Sequence, residues 1–119
     1  MSTFQVPSDK PLPVIERVTG NTAKTIVDAS TEAYFVPWFQ VNGHSATAPA
    51  LTVDLYDGTT AHYLAHDDGS TWLARATAAF GSYQFTHGIV VPITWKLRVT
   101  SDNASGLFHV IGLKIRVVL

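Results

Sequence analysis

Five histidines, His44, His62, His66, His87 and His109, are the side chains best suited to hold a metal ion or move a proton. His62 and His66 stand four apart, a spacing that puts two imidazoles on one helix face within reach of one zinc ion. In a strand the same two positions share a face but lie about 13 Å apart, too far for a single ion. Their surroundings, Ala61 to Ala65 between Asp57-Gly58 and Asp67-Asp68-Gly69-Ser70, read as strand and turn. The histidines are therefore expected in turns and on the surface, with no metal site.

The acidic segments lead to the same place. Asp57-Gly58-Thr59-Thr60 and Asp67-Asp68-Gly69-Ser70 start as calcium loops do, but Leu73, Ala74 and Arg75 supply no side-chain oxygens where such a loop needs them. Asp-Gly hairpin turns explain both segments. There is no cysteine nucleophile, no G-x-S-x-G elbow, no glycine-rich phosphate loop, and only two glutamates, Glu16 and Glu32. The chain is expected not to be an enzyme and to carry no cofactor.

Three tryptophans could stack on a sugar ring. Trp95 alternates with Ile93 and Leu97 and reads as core, while Trp38 sits in an aromatic block and reads as core or interface anchor. Trp72 follows a polar turn and is the candidate exposed, ligand-stacking aromatic. Asn103-Ala104-Ser105 has the form of a glycosylation sequon and reads as a turn. Lys96 and Arg98, with Lys114 and Arg116 on a neighbouring strand, need acids on another strand or subunit, since like charges would otherwise face each other.

Composition limits the partners. Eight Lys plus Arg against nine Asp plus Glu gives a net charge of −1, with no basic stripe for nucleic acid. No apolar run nears the ~20 residues of a membrane span, and MSTFQVPSDKPLP is not a secretory signal. Without cysteine there is no disulfide framework, and the redox compartment stays open. Only 14% of residues are charged, against a usual ~25%. That deficit reads as surface hidden against other subunits, or else as a neutral surface rich in Thr and Ser.

The elements that must position these side chains are short strands. Residues 1–12, with Pro7 and Pro11, read as an extended arm, and 13–119 as one domain. Val14 to Val18 is a strand, Gly20-Asn21 a turn, and Ala23 to Asp28 a candidate hairpin partner with Ile26 and Val27 buried. Tyr34 to Val41 is the densest apolar block, interrupted by Pro37. Leu51, Val53 and Leu55 alternate with polar neighbours, and Ala61 to Ala65 returns after the Asp57-Gly58 turn. Thr71 to Phe80 fits strand better than helix in this context, and Tyr83 to Phe85 adds a short strand. Ile93, Trp95, Leu97 and Val99 form an alternating strand that, with Leu107 to Leu119, reads as a β-hairpin. Eight or nine short strands with little or no helix predict an all-β antiparallel sandwich, Ig-like or jelly-roll in topology.

Two passages carry a family resemblance: LTVDLYDGTTAHYLAH (51–66) and GIVVPITWKLRVTSDNASGLFHVIGLKI (88–115), together less than half the chain. They resemble a group of small tailed-bacteriophage virion proteins. The matching positions are Tyr56, Asp57, Gly58, Thr59, Thr60, Tyr63 and Leu64, then Leu97, Val99, Thr100, Ser101, Asn103, Ala104, Leu107, Val110, Gly112 and Ile115. The resemblance implies a β-sandwich subunit made in the host cytoplasm and resident in the virion, serving as capsid decoration, head–tail connection or tail and fibre attachment. Its partners would be itself, as a homo-oligomer, and other virion proteins, with neither nucleic acid nor membrane. The expected interface residues are Phe4, Val6 and Pro7 of the arm, with Val117 and Leu119 of an exposed edge strand at Ile111 to Leu119. The alternative is a carbohydrate-binding, receptor-facing module of a phage fibre, with Trp72 in the ligand site.

Overall fold

Alternation decides which side chains turn inward, and it holds across most of the chain. A computed structural model describes residues 10–43, 51–64, 82–86, 88–101 and 107–117. Among them nine strands form: β1 (Leu12–Thr19), β2 (Lys24–Asp28), β3 (Ala33–Gly43), β4 (Leu51–Tyr56), β5 (Ala61–Tyr63), β6 (Ser82–Phe85), β7 (Ile89–Val91), β8 (Lys96–Ser101) and β9 (Leu107–Val117). There is no helix among the described residues. One sheet runs β1-β9-β3-β6, with β7 also on β3; the other runs β2-β8-β4-β5. The expected all-β antiparallel sandwich is what forms.

β6 and β7 lie one after the other along the same side of β3, opposite Phe39–Asn42 and Tyr34–Val36. Taken as one interrupted strand, they reveal the connectivity. β1 pairs β9, β2 pairs β8, β3 pairs β6 and β7, and β4 pairs β5, all antiparallel. This is one long antiparallel ribbon with its tip at Asp57–Thr60. Rolling it up lays β9 beside β3 and β8 beside β4. Of the two topologies left open, the strand order is that of a jelly roll.

The core is where the two inner faces meet. Val14, Val18, Val36, Phe39, Val41, Phe108 and Val110 from the five-stranded sheet meet Ile26, Val27, Leu51, Val53, Leu97 and Val99 from the other. Phe39 stacks on Phe85 with centroids 4.6 Å apart and planes 8° from parallel. Ile26 and Val27 are both buried, although neighbours in a regular strand face opposite ways, because the pairing with β8 shifts between Thr25 and Val27. A similar shift between Phe35 and Trp38 accommodates Pro37, which has no N–H to give to a ladder.

Five expectations are corrected. β8 and β9 are not a hairpin: they belong to opposite sheets, and their buried residues face each other across the core. β1 and β2 likewise lie in different sheets, with the Lys24–Glu16 ion pair bridging them at the edge at 3.5 Å. β9 is an inner strand rather than an edge as far as Lys114, where β1 and β3 both flank it; among the described residues, Ile115–Val117 pairs with β3 alone. The strand expected from Ile93 begins only at Lys96, and β1 starts at Leu12, inside the span assigned to the arm.

Pro92 to Trp95 forms a turn instead, closed by the Trp95 amide donating to the Pro92 carbonyl at 3.0 Å. Ile93 is exposed at its apex and Trp95 is only partly buried against the core. Thr94 sits at φ +77°, where a β-branched residue is strained. Its amide donates to the Ala29 carbonyl at 2.8 Å and the Ala29 amide to the Trp95 carbonyl at 3.0 Å, so the surroundings hold it there. Thr94→Gly is expected to raise the unfolding free energy by about 1 kcal/mol in urea denaturation. A loss of stability would show that the threonine side chain contributes more than the strain costs.

Candidate functional site

The two sheets present very different outer faces. On the four-stranded sheet the outward positions are Thr52, Asp54 and Tyr56 of β4 and Lys96, Arg98 and Thr100 of β8, paired across the ladder. Asp54 is only 2% exposed despite facing outward. The Arg98 Nε donates to Asp54 Oδ1 at 2.9 Å, and the guanidinium lies 3.8 Å from the Tyr56 ring centroid. Tyr63, directly opposite Asp54 on β5, is exposed. On β9 of the other sheet, Arg116 meets Glu32, just before β3, at 3.1 Å, while Lys114 stands 4.6 Å over the Tyr34 ring instead of meeting an acid there. An open hollow of about 200 Å³ lined by Lys10, Leu12, Glu32, Tyr34 and Arg116 lies at that end of the molecule.

At the ribbon tip, Asp57 organises the turn. Its Oδ1 accepts from the Thr59 amide at 2.8 Å, the Thr60 amide at 2.7 Å and the Thr59 hydroxyl at 3.0 Å. Gly58 at φ +106° makes the bend, and the Tyr56 hydroxyl donates to its carbonyl at 2.8 Å. His62 Nε2 lies 3.0 Å from Asp57 Oδ2, and the imidazole stacks on Trp95 at 5.2 Å. Asp-Gly hairpin chemistry thus accounts for the first acidic segment; the second, 67–70, lies outside the described residues.

His62, then the Thr60 and Thr59 amides, hold the Asp57 carboxyl well below its usual 3.8. A depressed folded value means the turn's stabilisation is fully present above the unfolded pKa and is lost as pH falls through the folded one. A ¹³C NMR titration should therefore place the Asp57 midpoint well below 3.8, and His62→Ala should move it back upward. A midpoint at 3.8 in both forms would mean the clasp does not persist in solution.

The outer face of the five-stranded sheet is the unexpected one. Register sets Arg17, His109 and Asn42 in one row, Ile15, Ile111 and Gln40 with Gln84 in the next, and Pro13, Leu113 and Trp38 in the third. Ile115, Phe35 and Val90 follow, then Val117 and Ala33. A solvated sheet face is normally polar, yet Ile15 is 71% exposed, Val90 56% and Ile111 45%. Trp38, Leu113 and Ile115 are half-buried beside them. Phe35 lies directly over Gly88, where an added Cβ would strike the ring.

Of the interface residues expected from sequence, Val117 is described, half-buried opposite Ala33 at the end of this face. Phe4, Val6, Pro7, Leu119 and the stacking candidate Trp72 lie outside the described residues, as do His44, His66 and His87 and the segment 71–80. No cluster of three or more metal-ligating side chains occurs among the described residues. The apolar face itself went unread in the sequence, though β9 carried its signal. Phe108 and Val110 alternate inward while Ile111, Leu113 and Ile115 alternate outward. Aliphatic residues at both parities announce a second apolar face.

The chain matches no family model and no curated protein.

Proposed function

We propose that this chain is a non-enzymatic structural subunit of a bacteriophage virion, acting by self-association and by docking onto other virion proteins as capsid decoration, head–tail connection or tail and fibre attachment. The observation that carries this reading is the exposed aliphatic face of the five-stranded sheet, centred on Ile15, Ile111 and Val90. Such a surface is costly in water and gains by being covered. The low charge of the chain and the resemblance of residues 51–66 and 88–115 to small virion proteins support it. Jelly rolls are a frequent capsid architecture, a fold-level analogy that adds weight without identifying a site. Mass spectrometry of gradient-purified particles of the parent phage tests it. The chain is expected to be present in stoichiometric amounts, and its absence from intact particles would refute the reading.

A second reading, carbohydrate recognition by a fibre module, is favoured by Tyr63. An exposed aromatic ring beside the Asp54–Arg98 pair combines a stacking surface with polar groups able to orient hydroxyls. A glycan array is expected to give hits that Tyr63→Ala removes; a blank array excludes this reading.

A further inference from the structure

We infer that the outer face of the five-stranded sheet docks a second copy of this chain, sheet against sheet across a two-fold axis that crosses the strands near Leu113. The inference rests on the self-association in the reading above and names the surface and its occupant.

Three observations favour a second copy over a different partner. The first is chemistry that complements itself. The face consists of aliphatic rows and carboxamides, and the carboxamides bond one another within the copy, so the mate need offer them only an uncharged, largely apolar surface. Gln84 Nε2 donates to Gln40 Oε1 at 2.9 Å, and Gln40 Nε2 to Asn42 Oδ1 at 2.6 Å. A patch that must match its own copy cannot rely on one charge sign, and here charge is sparse.

The second is the placement of the cationic side chain that is present. Arg17 lies in the row with His109 and Asn42, at one end of the face, and Val117 with Ala33 lies at the other. With the axis across the strands at Leu113, the Arg17 end of one copy lies over the Val117 end of its mate. The two arginines are then kept far apart, while the Ile111, Leu113 and Ile115 rows meet at the centre.

The third is size. β9 and β3 each run eleven residues, and the sheet is four strands wide where β6 and β7 share one side of β3. At about 3.3 Å per residue and 4.8 Å per strand, the face covers roughly 600 Å² per copy after allowing for the shorter β1. Two copies would bury on the order of 1,200 Å², the lower bound for a stable specific interface. Among the described residues, the opposite face of the sandwich, with Asp54, Arg98, Lys96 and Thr100, has no comparable apolar rows.

Light scattering coupled to size exclusion on the full chain, at tens of micromolar, reads the mass directly. A dimer is expected. Ile111→Lys should convert it to monomer, with dissociation at least 100-fold easier and an unchanged circular dichroism spectrum, while Lys96→Glu on the other sheet should leave the dimer intact. Because the chain has no cysteine, Ile111→Cys and Thr100→Cys each carry one reactive thiol. A short bis-maleimide should link copies through position 111 and not through 100, which keeps the test decisive if Ile111→Lys misfolds. A monomeric wild type, a mass of three or more chains, or linking through 100 alone would overturn the inference. A monomer still recovered from purified particles overturns the dimer and leaves the virion reading intact. A dimer whose chain is missing from particles supports the dimer and overturns the virion reading.

Discussion

Phe39→Ala is expected to lower the unfolding free energy by about 4 kcal/mol, moving the urea midpoint down by roughly 2–3 M. Phe39 is wholly buried and is among the largest side chains in the core. It faces inward between Val36 and Val41 on β3, stacks flat against Phe85, and pairs with Gly112 on the other side. Truncation removes the transfer energy of the ring and leaves a cavity that two strand-bound neighbours cannot close. It also forfeits the ring–ring contact, worth roughly 1 kcal/mol beyond area burial. Because β3 carries the ladders to β9, β6 and β7, the loss falls on the strand that holds the five-stranded sheet together. A change below about 1 kcal/mol would mean that Phe39 is not packed as described.

Gly112→Ala is expected to cost about 3 kcal/mol in the same measurement, at the upper end of overpacking effects. The reason is spatial. A Cβ on Gly112 would stand 2.7 Å from the Phe39 Cβ, 2.8 Å from the Trp38 carbonyl oxygen and 3.0 Å from the Phe39 Cα. Two of those atoms belong to the backbone of the paired strand, so no rotamer change makes room. Shortening Phe39 to alanine would not relieve the contact either, since Cα and Cβ remain. Elsewhere a strand glycine weakens a sheet, and alanine would be the better residue. At 112 the close approach of β3 reverses that preference. Unchanged stability in Gly112→Ala would place β9 farther from β3 than the register requires.

The elements were largely legible because alternation and turn chemistry are local. Leu51, Val53 and Leu55 announced β4, Asp57-Gly58 announced its turn, and the core positions Ile26 and Val27 were readable from residue type. Legibility failed at Pro92-Ile93-Thr94-Trp95, whose period-2 pattern imitates a strand. There the hydrogen bonds to Ala29, distant in sequence, impose a turn and a strained Thr94 that no local preference suggests. It failed again for the candidate site. The sequence put contact residues on an edge strand, whereas the exposed aliphatic rows come from β1, β9, β3 and β7 brought side by side.

The amino-acid sequence by itself determined an all-β sandwich of short strands, most of its buried positions and the clasp at Asp57, since each depends on neighbours within a few residues. Tertiary structure alone decided which strands are partners. Alternation states which side of a strand is covered, yet it is the same whether the next strand lies beside it or across the core. Rolling the ribbon set β8 opposite β9, closed β9 between β1 and β3, and gathered Ile15, Ile111, Trp38 and Val90 onto one face. A surface assembled from residues up to a hundred positions apart exists only once the ladders that align them have formed.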